Sequence, residues 1–164
     1  MREWYNKINA MICRRLVMIL VVNTNTNDCK IYQYKKNPSE LILIKEISHP
    51  ENKLKISDLT ADKEGHYKAN GSGRGAYSPH TDAKEIEIIN FSREIAQDLN
   101  QRRNTKELEH LILIAPPSMY GLLSQHMDKH VKELMSNHFQ KDFIHMKNHE
   151  LLDFLVKNTQ YTNK

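Results

Sequence analysis

Leu108–Ala115 is a nearly continuous apolar run that stops at two prolines, Pro116-Pro117. A half-exposed strand alternates apolar and polar residues, whereas an unbroken run fits a strand covered on both faces. Proline cannot extend a hydrogen-bond ladder, yet its fixed φ suits the first turn of a helix. The run therefore predicts a central, doubly covered strand that passes directly into a helix.

The rest of the chain is read outward from that strand. Leu16–Val22 has the same character and predicts a second buried strand, with a turn over Asn23–Asp28. Lys30–Lys35 alternates, Asn37-Pro38-Ser39 marks a turn, and Leu41–Ile47 supplies a further strand. Three strands joined by short turns predict an antiparallel meander. Residues 49–81 hold four of the five glycines and no sustained apolar period, a length of chain that is usually functional or disordered when it lacks regular structure. Thr81 or Asp82 then caps a helix, with Glu85 completing a capping box, and the helix runs to about Arg103. Ile88, Ser92, Ile95, Ala96 and Leu99 line its apolar face. After Pro117 a helix is expected over Ser118–Ser136, carrying Met119, Leu122, Leu123, Met127, Val131, Leu134 and Met135. Phe139–Met146 reads as the fifth strand and Asn148–Lys157 as the last helix. The order β-β-β-loop-α-β-α-β-α predicts an α/β fold: one domain, a mixed five-stranded sheet with an N-terminal antiparallel meander, and helices packed on it. Its expected limits are residues 16–157. Residues 1–15, with Trp4, Tyr5, Ile8 and Ile12 at helical spacing, form an N-terminal extension, and 158–164 a polar tail.

Composition bounds the partners. The chain has 164 residues, 39% hydrophobic and 27% charged, with a formal charge of +4. Such a mild excess of positive charge permits contact with nucleic acid or anionic lipid without demanding it. The longest apolar run, Leu16–Val22, is too short to span a bilayer, which takes about 20 residues. Arg14-Arg15 before it mimic the start of a signal peptide, but Asn23-Thr24-Asn25-Thr26-Asn27 follows without a small-residue cleavage site. Cys13 and Cys29 have no metal-ligand spacing and fit two reduced thiols. The expectation is a cytoplasmic protein with no membrane contact and no cofactor.

The segment Gly71-Ser72-Gly73-Arg74-Gly75 is the strongest site candidate. Alternating glycines let backbone N–H groups approach a phosphate, and Arg74 adds a planar fork for bidentate contact. Lys53, Lys55 and Lys68 extend the basic path. It is not a P-loop, lacking Gly-Lys-Ser/Thr, and no strand leads into it as the dinucleotide fingerprint requires. The plain alternative is a surface loop that binds nothing specific. Asp58, Asp62, Asp82, Glu85 and Glu87 raise the alternative of a metal-dependent nuclease, although acids in a first helical turn are explained by the helix dipole. His126 and His130, four apart on the expected helix, have the spacing of a zinc pair without a third ligand. Ser72, Ser78 and Ser118 show no paired His–Asp pattern for a serine hydrolase.

Several strings carry a family resemblance. They are His49-Pro50-Glu51 with Leu54 and Asp58-Leu59, the glycine segment with Arg74, and Thr81-Asp82 with Lys84-Glu85. Further on come Phe91 with Arg93-Glu94 and Ala96, Leu111–Pro117 with Gly121-Leu122-Leu123, and Lys141-Asp142 with His145. Together they resemble the bacterial host attachment protein family from about residue 18 to 157. That family looks similar to the middle domain of archaeal and eukaryotic peptide-release factors, which implies an RNase H-like mixed sheet. In release factors the corresponding loop ends in Gly-Gly-Gln; here it reads Asn70-Gly71-Ser72-Gly73-Arg74-Gly75-Ala76. Without the glutamine, hydrolysis of peptidyl-tRNA by that chemistry is not expected. The leading expectation is a non-enzymatic domain that associates with RNA or the ribosome through the glycine segment. The rivals are a host-cell attachment factor, acting directly or indirectly and with no targeting signal behind it, and a hydrolase or nuclease.

Overall fold

The computed structural model describes residues 17–49 and 81–159, with side chains in the long helix described from Lys84 onward. Strands β1 (Ile19–Thr24), β2 (Asp28–Lys36) and β3 (Ser39–Ser48) form the meander. Helix α1 (Thr81–Asn104) precedes β4 (His110–Ile114). Helices α2 (Pro117–His126) and α3 (Lys129–Glu133), strand β5 (Met135–Phe139) and helix α4 (Asn148–Asn158) complete the chain. The sheet has five strands in the order β3-β2-β1-β4-β5. β1 is antiparallel to β2 and β2 to β3, while β1–β4 and β4–β5 are parallel. The sheet is therefore mixed, with the expected meander at one side.

Burial explains why β1 and β4 lie in the middle. Leu111, Ile112, Leu113 and Ile114 are all fully buried, as are Leu20, Val21 and Val22. Each such side chain contributes about 1.5–3 kcal/mol when removed from water. Successive residues point to opposite faces. Leu20, Val22, Cys29, Ile31, Leu111 and Leu113 meet Phe91, Ile95 and Leu99 of α1 and Met119, Leu123 and Val131 of α2 and α3. Ile19, Val21, Tyr32, Tyr34, Ile112 and Ile114 meet Leu151 and Leu155 of α4. Phe154 on that side takes Phe139 and Phe143 edge-on, with centroids 4.9 and 5.0 Å away. Of the expected face of α1, Ser92, Ile95, Ala96 and Leu99 are buried and Ile88 is half-buried against the same core, with Phe91 added to it.

The helix expected over Ser118–Ser136 is interrupted. Met127 is extended (φ −67°, ψ 136°), and so is Asp128, whose carboxylate accepts the His130 amide at 2.8 Å. An aspartate that satisfies an orphan amide favours starting a new helix over continuing the old one. Only one short helix follows before Met135 enters β5, so the fifth strand precedes the expected Phe139–Met146. Parallel pairing with β4 overrides the weak strand propensity of Met135–Phe139. Phe143, Ile144 and Met146 lie instead in a turn beneath α4, held by Ile144 N donating to Asp142 Oδ1 at 3.2 Å and Met146 N to Phe143 O at 2.9 Å.

Cys29 is a free, fully buried thiol in the α1-side core. Burial pushes its pKa up to about 12. Thiolate is the reactive form, so Cys29 in a Cys13→Ser background should resist a thiol reagent at pH 8 until the protein is unfolded. Prompt labelling of the native protein would show that the β2 core opens readily.

Candidate functional site at the carboxyl end of the sheet

Because β2 alone opposes the others, β1, β3, β4 and β5 all end at the same edge of the sheet. The chain leaves β1 toward β2 on one side and reaches β4 on the other, which makes β1/β4 a topological switch point. Open α/β sheets bind ligands outside the carboxyl ends of strands at such a point. Four connections gather here: the Asn25–Asn27 turn, the exit of β3 at His49, the Ala115-Pro116-Pro117 step, and residues 140–147.

The exit of β3 is pinned by four contacts. Ser48 Oγ donates to Asp28 Oδ1 at 2.6 Å, and the His49 amide donates to Asn27 O at 2.8 Å. The His49 ring lies 4.8 Å from that of Phe91, tilted by 45°, and its Nε2 is 2.9 Å from Glu94 Oε2. Glu94 is about half exposed and His49 partly so, and the ionic contribution of the pair is therefore at most about 1 kcal/mol. Its geometric effect is to hold the end of β3 against the middle of α1. With a rise of about 1.5 Å per residue, Thr81 lies about 20 Å farther along the helix axis than Glu94. Residues 50–80 thus start from a pinned point at the carboxyl edge and return at the far tip of α1.

A second anchor lies across the same edge. Asn25 Oδ1 accepts the amides of Asn27 and Asp28 at 2.9 and 2.8 Å, closing the β1–β2 turn. Its Nδ2 reaches Asp142 Oδ2 at 3.5 Å. Asn23 Nδ2 donates to Phe143 O at 2.8 Å, while its Oδ1 is buried without a hydrogen-bond partner. Two asparagines of β1 and its turn thereby hold the segment after β5. Lys141 stands exposed beside them, its Nζ 5.6 and 5.8 Å from the Phe143 and Phe154 ring centres.

Farther down the α1 side, a cavity of about 300 Å³ is lined by Lys45, Asp98, Gln101, Arg102, Thr105 and Glu107. Lys45 Nζ and Arg102 Nε each lie 2.7 Å from the Asp98 carboxylate, and Arg102 Nη1 lies 3.4 Å from Glu107. The cations are already neutralised. The cavity is a clasp between β3 and α1, with no surplus charge to attract an anion.

The proposed phosphate-binding residues Lys53, Lys55, Lys68, Gly71, Ser72, Gly73, Arg74 and Gly75 lie outside the described residues, as do Asp58, Asp62, Ser72 and Ser78. Of the remaining acids, Glu85 is exposed and Glu87 half-buried. Among the described residues no three His, Cys, Asp or Glu side chains converge as a metal site would require. His126 closes α2, while His130 lies beyond the break and approaches Glu133 at 3.4 Å, so the two do not share one helix face. Ser118 is exposed in the first turn of α2. Among the described residues no helix is long and apolar enough to cross a membrane.

Comparison with known proteins places this geometry in context. A family model described as "Protein required for attachment to host cells" matches residues 18–155. The protein RP470 of Rickettsia prowazekii (strain Madrid E) is 26% identical over 98 residues, which are 52% of this chain and 65% of RP470. The crystal structure of the archaeal translation termination factor aRF1 superposes with a TM-score of 0.52 at 10% identity, over 94% of this chain and 38% of aRF1. The Saccharomyces cerevisiae protein Dom34, a translation termination-like factor involved in RNA quality control pathways, gives 0.46 at 11% identity, over 94% of this chain and 37% of Dom34. This chain thus spans less than two thirds of RP470 and well under half of aRF1. The likeness to aRF1 is one of fold.

Proposed function

The chain belongs to the family of proteins required for attachment to host cells, and from that premise we propose that it is a non-enzymatic RNA- or ribosome-associated domain. The observation that carries this reading is the pinning of His49, from which the basic, glycine-rich stretch 50–80 continues, at the carboxyl edge of the sheet. His49, held by Phe91 and Glu94, fixes one root of residues 50–80, and α1 receives the other. By sequence that stretch holds Gly71, Gly73 and Gly75, which have no side chain to keep a phosphate from the backbone, with Ser72 between them and Arg74, Lys53, Lys55 and Lys68 as the charge. A fold shared with a translation termination factor supports an RNA-rich partner. The Gly-Gly-Gln of release factors is missing, so the segment binds rather than hydrolyses.

The test is co-sedimentation with ribosomes from the native cells at low and high salt, beside Arg74→Glu. Phosphate contacts release counterions, so association should fall steeply with salt, and reversing one contacting charge should weaken it by roughly 10-fold. A protein that stays in the soluble fraction at every salt would sink the reading.

The family description favours a second reading, in which the protein takes part in attachment at the cell surface. Protease treatment of intact cells separates the two. Cleavage of the protein under conditions that spare internal markers favours the surface role, and full protection favours the internal one.

A further inference from the structure

We infer that a second copy of this chain docks on the outer edge of β3, joining the two sheets through an antiparallel β3–β3 pair. Among the described residues no strand lies outside β3. Sheet edges are commonly blunted by shortness, charge or proline. The opposite edge follows that rule, since β5 has five residues with Ser136, Asn137 and His138 at its centre. β3 follows it only in part: it has charge at Glu40, Lys45 and Glu46, but it is ten residues long and carries Leu41-Ile42-Leu43-Ile44 in succession, with Leu43 45% and Ile44 40% exposed.

The register of β3 argues that the occupant is another β3. Against β2, Leu43 lies opposite Tyr32 and Lys45 opposite Ile31, so Ile44 is an extra residue bulged out of the ladder. The bulge sorts the side chains. Glu40, Ile42, Lys45 and Ile47 share the α1 side with Lys35, Gln33, Ile31 and Cys29, and Leu41 and Leu43 share the α4 side with Tyr34 and Tyr32. A two-fold axis normal to the sheet keeps each residue on its own side, so only residues of the same side can face one another. Centred on Ile42, that axis sets Leu41 against the partner's Leu43. Stepping over the bulge, it sets Glu40 against the partner's Lys45. Every pair occurs twice, giving two apolar contacts on one side and two opposite-charge contacts on the other. An unbulged strand would set Glu40 against isoleucine and Lys45 against serine. Glu40 already lies 3.1 Å from Lys35 and Lys45 2.7 Å from Asp98, so the contact across the pair is a second one for each, made from the surface that stays open to solvent, 51% for Glu40 and 40% for Lys45.

A strand edge buries little area, so the dimer is weak, with a dissociation constant of about 10–100 μM. Sedimentation velocity on the full chain from about 1 to 300 μM should show monomers passing into dimers. Glu40→Lys, which sets two lysine pairs face to face, and Leu43→Lys, which puts charge into the apolar contact, should each weaken association at least about 10-fold. Both positions are exposed, so unchanged thermal melts will show that the fold is kept. Geometry gives an independent reading. In a Cys13→Ser background, Ile42→Cys sets two thiols directly opposite at a Cα separation of about 4.5–5.5 Å, within reach of a disulfide. Leu43→Cys sets them diagonally, beyond about 7 Å, and should not cross-link. A chain that stays monomeric over the whole range overturns the proposal. So does a dimer that neither lysine variant weakens and that Ile42→Cys fails to trap.

Discussion

Truncating Phe91 to alanine should lower the free energy of unfolding by about 3–5 kcal/mol. Phe91 is fully buried, packed among the residues that join α1 to the sheet. Removing the ring loses its transfer free energy and leaves a cavity that close-packed neighbours fill only in part. The ring also supports His49 at 4.8 Å, a contact between aromatic rings worth up to about 1 kcal/mol beyond area. Set against a total stability of about 5–15 kcal/mol, the loss takes a large share. Urea denaturation reads it as a shift of midpoint at constant slope. Ile86→Ala is the control on the same helix: Ile86 is 53% exposed, and its loss should stay within about 0.5 kcal/mol. Phe91→Leu, which keeps most of the volume, should cost about 1–1.5 kcal/mol. If Phe91→Ala cost no more than Ile86→Ala, the packing of α1 against the sheet would be wrong.

The same residue shows which parts of the molecule were legible in the chain. β4 announces itself because full burial on both faces removes the need for polar residues, and Pro116-Pro117 fixes where it stops. The face of α1 is equally plain, since one side of a helix meets one core. The break at Met127-Asp128 was not legible from periodicity. Met119, Leu123, Met127 and Val131 all enter the same core whether the helix continues or restarts, so the apolar spacing persists across the interruption. Periodicity reports burial, not hydrogen bonding, and only Asp128 marked the new cap. The site divides in the same way. The glycine segment stands out through composition alone, whereas the described contacts at the carboxyl edge join distant residues. His49 meets Glu94 forty-five positions away, and Asn25 meets Asp142 one hundred and seventeen away. No local pattern encodes such a pair; the sheet order creates it.

The clasp between β3 and α1 leads to the second large effect, and its sign depends on pH. Burial alone would push the Asp98 carboxyl up. The hydrogen bonds and positive charges of Lys45 and Arg102 outweigh that and hold it below its ordinary value of 3.8. With the folded pKa below the unfolded one, the unfolded chain takes up the proton first as pH falls. The stability contributed by Asp98 is therefore fully present above the unfolded pKa and drains away as pH drops through the folded one. Asp98→Asn keeps the shape but removes the charge, leaving Lys45 and Arg102 facing a neutral amide. At pH 7 this should cost about 1–2 kcal/mol, because hydrogen bonds to a charged group are lost while part of the clasp stays open to solvent. Urea midpoints of the two proteins, measured from neutral pH down to about 2.5, should start apart and converge below about pH 4 as the native carboxylate is protonated. High salt should narrow the gap at pH 7 without closing it, since Asp98 and Arg102 are largely shielded from solvent. A gap of constant size at every pH would mean that the substitution acts through packing, and that the ionic account of how β3 is held to α1 is wrong.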